Sequence, residues 1–335
     1  MAALVVCTAA CVKVPVAPSV PPAGPVQKLP DMRVPHHSAG VVAYEDRLYV
    51  WSGYTSPGQS NYDRTDVLEV YDPSARAWKQ GAPLPGLRSG MGCLVLNGKF
   101  YSIGGETNPS GSFTDTVYRY DPKQDKWDER KGLPSTAWNP MCVACSGKAY
   151  VIGGRQGYGP TYPQVLAYDE EKESWQQMAE MPQSVMLGAI VASAGKIYVF
   201  GGTHFESESQ RQPLQVMQIY DTAKDSWTTQ SMPWKLSRPQ AILHGQDIWL
   251  FAHDILDEAD KPTPCPWAFK YSPASGKWTR YSFLLPEDAT LNSPLAVIQD
   301  KVYFTDFYKN EVRLTKAACV DLKSLEGAVV QGVMP

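Results

Sequence analysis

The stretch YDPSARAW, residues 71–78, is the first copy of a pattern that decides the fold. It places a tryptophan seven residues after a tyrosine. The same spacing recurs in four more segments: YDPKQDKW (120–127), YDEEKESW (168–175), YDTAKDSW (220–227) and YSPASGKW (271–278). Successive tyrosines lie 49, 48, 52 and 51 residues apart. Because a constant period of about 50 residues marks a repeat protein, the chain is predicted to contain copies of one structural unit.

A second pattern lies upstream of each tyrosine, where a turn signal such as NGK or SGK leads into a short apolar run. The runs are LYVWSG (48–53), FYSIGG (100–105), AYVIGG (149–154), IYVFGG (197–202), IWLFAH (248–253) and a degraded sixth copy, VYFTDF (302–307). Short apolar runs separated by turns are typical of antiparallel strands. Each unit holds four such strands, which predicts one blade of a β-propeller.

With these two patterns, about residues 30–330 of the chain resemble kelch-repeat β-propellers. The resemblance implies an all-β fold, namely a six-bladed kelch-type β-propeller with four antiparallel strands per blade. We expect residues 31–335 to form this single propeller, with blades at about 35–85, 86–135, 136–184, 185–235, 236–288 and 289–335. The sixth blade is the least regular, since Val320-Asp321 replaces Tyr-Asp and Gly327 replaces Trp.

Closure of the ring requires a strand from the other end of the chain in the last blade. Residues 1–30 are expected to be an N-terminal extension. The closing strand can come from residues 3–14 (ALVVCTAACVKV) or from residues 327–333 (GAVVQGV). We expect both termini to pair in blade 6.

The composition argues against several classes of partner. The net charge is −3 and no basic cluster occurs, so nucleic acid is not an expected partner. No apolar run reaches about 18 residues, so no membrane-spanning helix is predicted. Seven cysteines without a regular spacing indicate a reducing compartment, and a cytoplasmic location is expected. The apolar start MAALVVCTAACVKVPV (1–16) resembles a secretory signal without its basic region, which leaves secretion as the alternative.

The resemblance also implies where a ligand binds, because the d–a and b–c loops of kelch propellers share the usual ligand face. In this chain those loops are rich in arginine and aromatic residues, the types that dominate interface hot spots. Arginine also binds carboxylates in a bidentate manner. The candidate ligand-face residues are Arg88, Arg155, Arg238, Tyr54, Tyr158, Tyr162, Trp138, His36, His37, Glu106 and His253.

One candidate lies in the stretch LFAHDILDEAD (250–260), where Ala252-His253 replaces the glycine pair of blade 5. His253 is therefore expected near the mouth of the propeller. Asp257, Glu258 and Asp260 are expected on an exposed b–c loop. Their spacing does not match a calcium-binding EF-hand loop, so neither a metal site nor a cofactor is predicted.

Two functions remain open on the sequence. The favoured one is a non-catalytic module that recognises a protein or peptide partner, as the kelch adaptors of ubiquitin ligases do. Residues 1–30 leave no room for a BTB or F-box region, so a stand-alone propeller is expected. The alternative is a small-molecule enzyme acting on an anionic ligand, similar to stand-alone kelch mutarotases or specifier proteins. The Glu-x3-Asp-x3-His iron motif of the specifiers is absent. The fold by itself does not choose between the two functions.

Overall fold

The computed structural model describes residues 26–55, 63–107, 111–309 and 312–326. Within these ranges the chain forms six four-stranded antiparallel sheets. The first strand of each sheet contacts the first strand of the next, and the sixth sheet contacts the first in the same way. The sheets therefore form a closed ring of six blades, which confirms the predicted propeller.

The strands of each blade are named a to d in chain order from the ring axis outward. In the first three blades they are Gly40–Tyr44, Arg47–Trp51, Leu68–Asp72 and Ala77–Gly81; Gly92–Leu96, Lys99–Ile103, Val117–Asp121 and Lys126–Arg130; Met141–Cys145, Lys148–Ile152, Val165–Asp169 and Ser174–Gln177. In blades 4 and 5 they are Ala189–Ser193, Lys196–Phe200, Val216–Asp221 and Ser226–Ser231; Gln240–His244, Asp247–Phe251, Trp267–Ser272 and Lys277–Ser282.

Blade 6 is assembled from both ends of the described chain. Strands a to c are Ala296–Ile298, Lys301–Phe304 and Ala318–Asp321, and the outermost strand is Gln27–Lys28. Gln27 pairs with Cys319 and Lys28 pairs with Ala318. The N-terminal side therefore supplies the closing strand, whereas segments 3–14 and 327–333, with Gly327, lie outside the described residues.

A short helix, Leu322–Glu326, follows strand c of blade 6 in place of a c–d hairpin. It packs its two leucines, Leu322 and Leu325, into the apolar cluster between blades 5 and 6. Among the described residues, no helix has the length and hydropathy needed to cross a membrane.

The b–c loops carry small hairpins of their own above the blades. These are Glu106–Thr107 with Ser112–Phe113, Thr203–Phe205 with Arg211–Pro213, Asp254–Leu256 with Pro262–Pro264, and Phe307–Lys309 with Val312–Leu314. In blade 5 the hairpin gains a third strand, Lys235–Ser237, from the preceding d–a connection. These hairpins form the walls of the mouth.

The core of the molecule is divided into six apolar clusters, each lying between two neighbouring blades. Between blades 1 and 2, for example, Trp51 and Phe100 are completely buried and their rings stack with centroids 6.5 Å apart. Burial of such large aromatic side chains is the main stabilising contribution at each blade interface.

The repeated tyrosine and tryptophan link each blade to the one before it. In blade 2, Trp127 Nε1 donates to the carbonyl of Ala82 at 2.9 Å. Tyr120 OH donates to Asp125 Oδ1 at 2.6 Å, and the same oxygen accepts from the amide of Ala82. Blade 4 repeats these contacts on Ala179. The tyrosine–tryptophan motif that reveals the repeat therefore has a structural role, because it holds neighbouring blades together.

The glycine pairs allow the chain to pass close to the next blade. Gly104 has a φ of +64°, and a Cβ there would lie 2.4 Å from the carbonyl oxygen of Ala137. Only glycine tolerates both that conformation and that approach. The second residue of each pair is glycine in blades 1 to 4. In blades 5 and 6 that position is occupied by His253 and Asp306, and neither has a positive φ. Two blades therefore present polar side chains where the other four present glycine.

Candidate functional site at the propeller mouth

A pocket of about 740 Å³ opens at the mouth above blades 4, 5 and 6 and reaches blade 1. It adjoins the axial channel, because Leu187 and Asn292 line both cavities. Its charged and aromatic polar side chains are contributed by Arg211, Arg238, Arg313, His37, His253 and Tyr308, together with the carboxylates of Asp254 and Asp260. Three of the predicted residues, Arg238, His253 and His37, are thus brought together.

Two arginines of this pocket have side chains available to a ligand. Arg238 is exposed, has a φ of +46° and donates from Nη1 to Asn292 Oδ1. Arg211 is also exposed, on the hairpin of blade 4. Within the part of the chain that the structure describes, neither guanidinium has a carboxylate within 4.0 Å. Both can bind an anionic group without breaking an internal ion pair.

Arg313 contributes a third guanidinium from the hairpin of blade 6. Its Cζ lies 5.0 Å from the centroid of the Tyr54 ring, at cation–π distance. The same wall holds Leu187, Leu256 and Pro213. The pocket therefore combines guanidinium groups with apolar surface, while its two carboxylates, Asp254 and Asp260, are paired with His253 and Lys235.

The floor of the pocket holds a hydrogen-bonded histidine and aspartate. His37 Nδ1 lies 2.8 Å from Asp306 Oδ1. The side chain of Asp306 is 2% exposed and that of His37 is 18% exposed. Asp306 Oδ2 accepts a further hydrogen bond from Ser293 Oγ at 3.1 Å. The carboxylate is thus fixed behind the imidazole, and only the imidazole reaches the pocket.

The acidic stretch that follows strand b of blade 5 is largely satisfied by its own surroundings. His253 is exposed and its Nδ1 lies 2.9 Å from Asp254 Oδ2. Asp257 Oδ1 accepts the amides of Ala259 and Lys261, and Asp260 pairs with Lys235 at 2.6 Å. No group of three His, Cys, Asp or Glu side chains among the described residues has the arrangement of a metal site.

On the opposite side of the mouth, Glu106 is engaged in a buried network. Its Oε2 lies 2.9 Å from Arg64 Nη2 and accepts from Tyr54 OH at 2.5 Å. Arg64 also donates to Ser89 Oγ at 2.9 Å. Burial, together with the hydrogen bond to Glu106, raises the pKa of Tyr54 to about 12. Glu106 therefore stabilises the loops of blades 1 and 2, and its carboxylate is shielded from the opening.

The guanidinium of Arg155 is likewise occupied by interactions within the protein. Its side chain is 1% exposed, and it donates to the carbonyls of Tyr158 and Gly159 in its own loop. It also pairs with Glu208 of blade 4 at 2.6 Å. Arg155 thus fixes the b–c loop of blade 3 rather than facing the central pocket.

Tyr158, on the loop that Arg155 fixes, completes a cluster of aromatic rings with Phe113 and Trp138 from neighbouring connections. Tyr158 is 52% exposed and packs edge-on against Phe113 and Trp138, with ring centroids 5.2 and 5.4 Å apart. Phe113 and Trp138 lie 5.3 Å from each other. We call these three rings the aromatic rim. It gives the mouth an apolar contact surface on the side of blades 2 and 3.

The remaining predicted residues lie in the wall of the propeller. Arg88 is 3% exposed and donates to the carbonyl of Gly104 at 3.1 Å, while burial lowers its pKa to about 10. His36 is 1% exposed, between the carbonyl of Ser52 and the carboxylate of Glu69. Tyr162 is half-buried, burial raises its pKa, and it does not line the mouth pocket. Arg88 and His36 therefore join blade elements and do not face the opening.

Sequence reasoning missed Arg211, Arg313, Arg64 and Asp306. In the d–a connections, the position of a residue within the repeat indicates whether its side chain is buried or exposed. The buried residues Arg88 and His36 share a repeat register with Ala137, Val185 and Leu236, all 1% exposed or less. Arg238 stands two residues later, in register with the positive-φ residues Ser38, Gly90, Asn139 and Leu187. Aligning the blades at this register distinguishes the two arginines.

Comparisons with known proteins agree with this architecture. A family model described as the KLHDC2/KLHL20/DRC7 Kelch-repeats domain matches residues 20–181, and a Kelch motif model matches residues 188–231. Kelch-like protein 23 of Mus musculus is 31% identical over 81 residues, which are 24% of this chain. A putative F-box/kelch-repeat protein of Arabidopsis thaliana is 36% identical over 84 residues, also 24% of this chain. The chain spans 13% and 21% of the lengths of these two relatives.

A solved structure, that of YjhT, is similar over most of the ring. The superposition has a TM-score of 0.70 and covers 91% of this chain and 99% of YjhT, with 15% sequence identity. At this identity the likeness concerns the fold, and the side chains of the mouth must be interpreted on their own chemistry.

Proposed function

The chain belongs to the kelch-repeat family, and from this premise we propose that it is a non-catalytic recognition module that binds a protein or peptide partner through the loops of its mouth. The observation that carries the proposal is the pairing of exposed Arg211 and Arg238 with apolar surface in one pocket. Arginine and aromatic anchors contribute most of the binding energy at protein interfaces.

The pocket is large enough for a segment of peptide, and its volume also lies within the range of small-molecule sites. About 740 Å³ accommodates several amino-acid side chains, and the pocket is formed by loops of four blades. A peptide that places an acidic side chain at Arg211 and Arg238 can lay its apolar side chains against Leu187, Leu256 and Pro213.

The aromatic rim extends this surface across the mouth. Tyr158 is one of the few large apolar side chains exposed in the described part of the molecule. Its ring is held in place by Phe113 and Trp138, so little side-chain entropy is lost when a partner covers it. A protein partner therefore has an apolar anchor at the rim and charged anchors in the pocket.

Affinity capture with defined variants tests the proposal. Wild type is compared with Arg211→Ala/Arg238→Ala and with Lys123→Ala/Lys126→Ala, which removes two exposed positive charges from the c–d hairpin on the opposite face. We expect a partner that is captured by wild type and by the lysine variant but lost from the arginine variant. Equal capture by all three purified forms, confirmed by direct titration of the purified partner, would contradict the proposal.

A small-molecule enzyme is the second candidate, and the His37–Asp306 pair favours it. A histidine oriented by a buried carboxylate is a common arrangement for proton transfer, and Arg238 of the same pocket can hold an anionic substrate. The test is a panel of carboxylate metabolites. An enzyme requires a metabolite that stabilises wild type but not Arg211→Ala/Arg238→Ala, and that only wild type, not His37→Asn, converts.

A further inference from the structure

The hydrogen bonds of Asp306 determine which ring nitrogen of His37 carries the proton. Asp306 Oδ1 faces Nδ1 at 2.8 Å, and Oδ2 accepts from Ser293 Oγ at 3.1 Å. Ser293 Oγ in turn accepts the amide of Ala39 at 3.0 Å, and of its two acceptors Asp306 Oδ2 at 3.1 Å is closer than the carbonyl of His36 at 3.5 Å. A carboxylate with both oxygens used as acceptors requires an N–H at Nδ1 of the imidazole.

In the neutral form of the imidazole, the other ring nitrogen of His37 is then a hydrogen-bond acceptor. In neutral imidazole with the proton on Nδ1, Nε2 carries a lone pair. Nε2 makes no hydrogen bond with the described residues, and it does not count among their buried unpartnered atoms. The rings of Tyr54 and Tyr308 lie close by, with centroids 6.3 and 6.1 Å from that of His37. Nε2 is therefore an oriented acceptor on the floor of the pocket.

Three guanidiniums line the same pocket as this acceptor, and the two carboxylates of the wall, Asp254 and Asp260, are paired with His253 and Lys235. Arg211, Arg238 and Arg313 of the same pocket carry donors only, because a guanidinium has no acceptor. A ligand with acidic groups alone would satisfy the arginines but would place an oxygen lone pair against the lone pair of Nε2. Leaving a desolvated acceptor without a donor weakens binding of such a ligand.

We propose that the ligand of the mouth is an acidic peptide segment that also carries a hydrogen-bond donor, a hydroxyl or an N–H, directed at His37 Nε2 beside its acidic group. This inference rests on the proposed function and names the chemistry that the pocket selects. His37 is the specificity-determining contact. Asp306 is a positioning residue, because it acts on the ligand only by holding the proton of His37 at Nδ1.

The first test needs no ligand. The chain has five histidines, so selective ¹⁵N-histidine labelling gives a spectrum in which His37 is assigned by its loss in His37→Asn. We expect the long-range ¹⁵N–¹H correlation pattern of wild-type His37 at neutral pH to be that of the Nδ1–H tautomer. In Asp306→Leu, which offers no acceptor, this preference should disappear. A wild-type His37 with its proton on Nε2 overturns the inference.

The second test uses phage-displayed random heptapeptides as the probe. Peptides selected on wild type and lost on Arg211→Ala/Arg238→Ala are synthesised. Each side-chain hydroxyl is then replaced by hydrogen, and each backbone N–H by N-methyl, one at a time. We expect one such donor whose removal weakens binding to wild type about tenfold but changes binding to His37→Asn by less than about twofold. The asparagine amide can still donate to Asp306, so the variant keeps that buried carboxylate paired.

The outcomes separate the two proposals. If acidic peptides bind through Arg211 and Arg238 but no donor removal distinguishes wild type from His37→Asn, the donor inference is wrong and the recognition module stands. If no selected peptide depends on Arg211 and Arg238, the recognition module itself is wrong. A lowered melting temperature of His37→Asn does not rescue either proposal, because the tautomer of wild type is measured independently.

Discussion

His37 Nδ1 lies 2.8 Å from Asp306 Oδ1, and this single hydrogen bond joins residues 269 positions apart in the sequence. It crosses the seam between the first and the last blade, where the ring closes. The closing strand Gln27–Lys28 pairs with Cys319 and Ala318 at the outer edge of the same blade. Ring closure and the composition of the mouth pocket therefore depend on each other, because the pocket floor exists only when blades 1 and 6 meet.

Removal of Asp306 is expected to weaken this seam. Asp306→Ala leaves His37 Nδ1 and Ser293 Oγ without their acceptor, which should lower the free energy of unfolding by about 1–3 kcal/mol. Urea denaturation followed by tryptophan fluorescence measures the loss. Asp300→Ala is the matched control, since Asp300 pairs with His244 in the same histidine–aspartate manner on the surface. An unfolding curve of Asp306→Ala that coincides with that of Asp300→Ala would show that the seam bond is not stabilising.

Breaking the buried Arg64–Glu106 pair should lower the free energy of unfolding strongly, whereas replacing both residues by apolar side chains should lower it little. Arg64→Met leaves Glu106 as a buried charge without its cation, and we expect a loss of about 3–5 kcal/mol. Arg64→Met/Glu106→Leu removes both charges and should recover most of that loss. The double-mutant cycle is completed with Glu106→Leu and measured by chemical denaturation. Additive losses in the double variant would argue against direct coupling of these two side chains.

Gly104 should tolerate no side chain, for a reason that a second glycine isolates. Gly104→Ala combines a φ of +64° with a Cβ 2.4 Å from the carbonyl oxygen of Ala137, whereas Gly147→Ala has a φ of +77° and open space around it. The strain of a left-handed alanine is about 1–2 kcal/mol in each. Gly104→Ala should therefore show the larger fall in melting temperature, and equal falls would mean that the blade contact relaxes freely.

The buried contact between His36 and Glu69 predicts an acid-sensitive fold. Burial raises the pKa of Glu69, but hydrogen bonds from His36 and the amides of Arg33 and Val34 prevail and hold it below its usual value of 4.5. A carboxyl whose pKa is lower in the folded state stabilises the fold above its unfolded pKa. That stabilisation is lost as the pH falls below 4.5 and through the lower folded pKa.

Unfolding free energies measured from pH 7 to pH 3 check this sign. Glu69→Gln should flatten the acid limb of the profile relative to wild type. Glu129→Gln, on an exposed strand position of blade 2, is the control and should leave the profile unchanged. A wild-type profile that is already flat below pH 4.5 would be inconsistent with the lowered pKa of Glu69.

The tryptophan of each repeat should contribute through its indole N–H as well as its ring. Trp127→Phe keeps an aromatic ring but loses the hydrogen bond to the carbonyl of Ala82, with an expected loss of about 1–3 kcal/mol. Trp127→Ala should cost about 3–5 kcal/mol, since the ring is 6% exposed. Differential scanning calorimetry distinguishes the two variants. Identical melting temperatures for wild type and Trp127→Phe would show that the hydrogen bond does not stabilise the fold.

Much of the fold was predictable because its signals are local. The Tyr–Trp spacing, the glycine pairs and the turn residues each act within one blade or between two adjacent blades. The d–a positions show the limit of such reasoning. Arg88 and Arg238 both belong to d–a connections, yet Arg88 bonds to the carbonyl of Gly104, just after strand b of blade 2, while Arg238 faces the mouth pocket. The two arginines differ in their position within the repeat, since Arg238 stands two residues later than the position that Arg88 occupies.

The sequence by itself determined the number of blades, their strands and the residues that tie neighbouring blades together, because these depend on contacts that recur with the repeat. The tertiary structure alone decided which side chains form the site. Buried Arg155 pairs with the exposed Glu208, and buried Glu106 pairs with the buried Arg64, so neither Arg155 nor Glu106 faces the mouth pocket. Asp306 and His37 met only because the ring closed. A polar side chain is available to a ligand when no group of the protein occupies it with a hydrogen bond or an ion pair. Whether such a partner is present depends on residues distant in sequence.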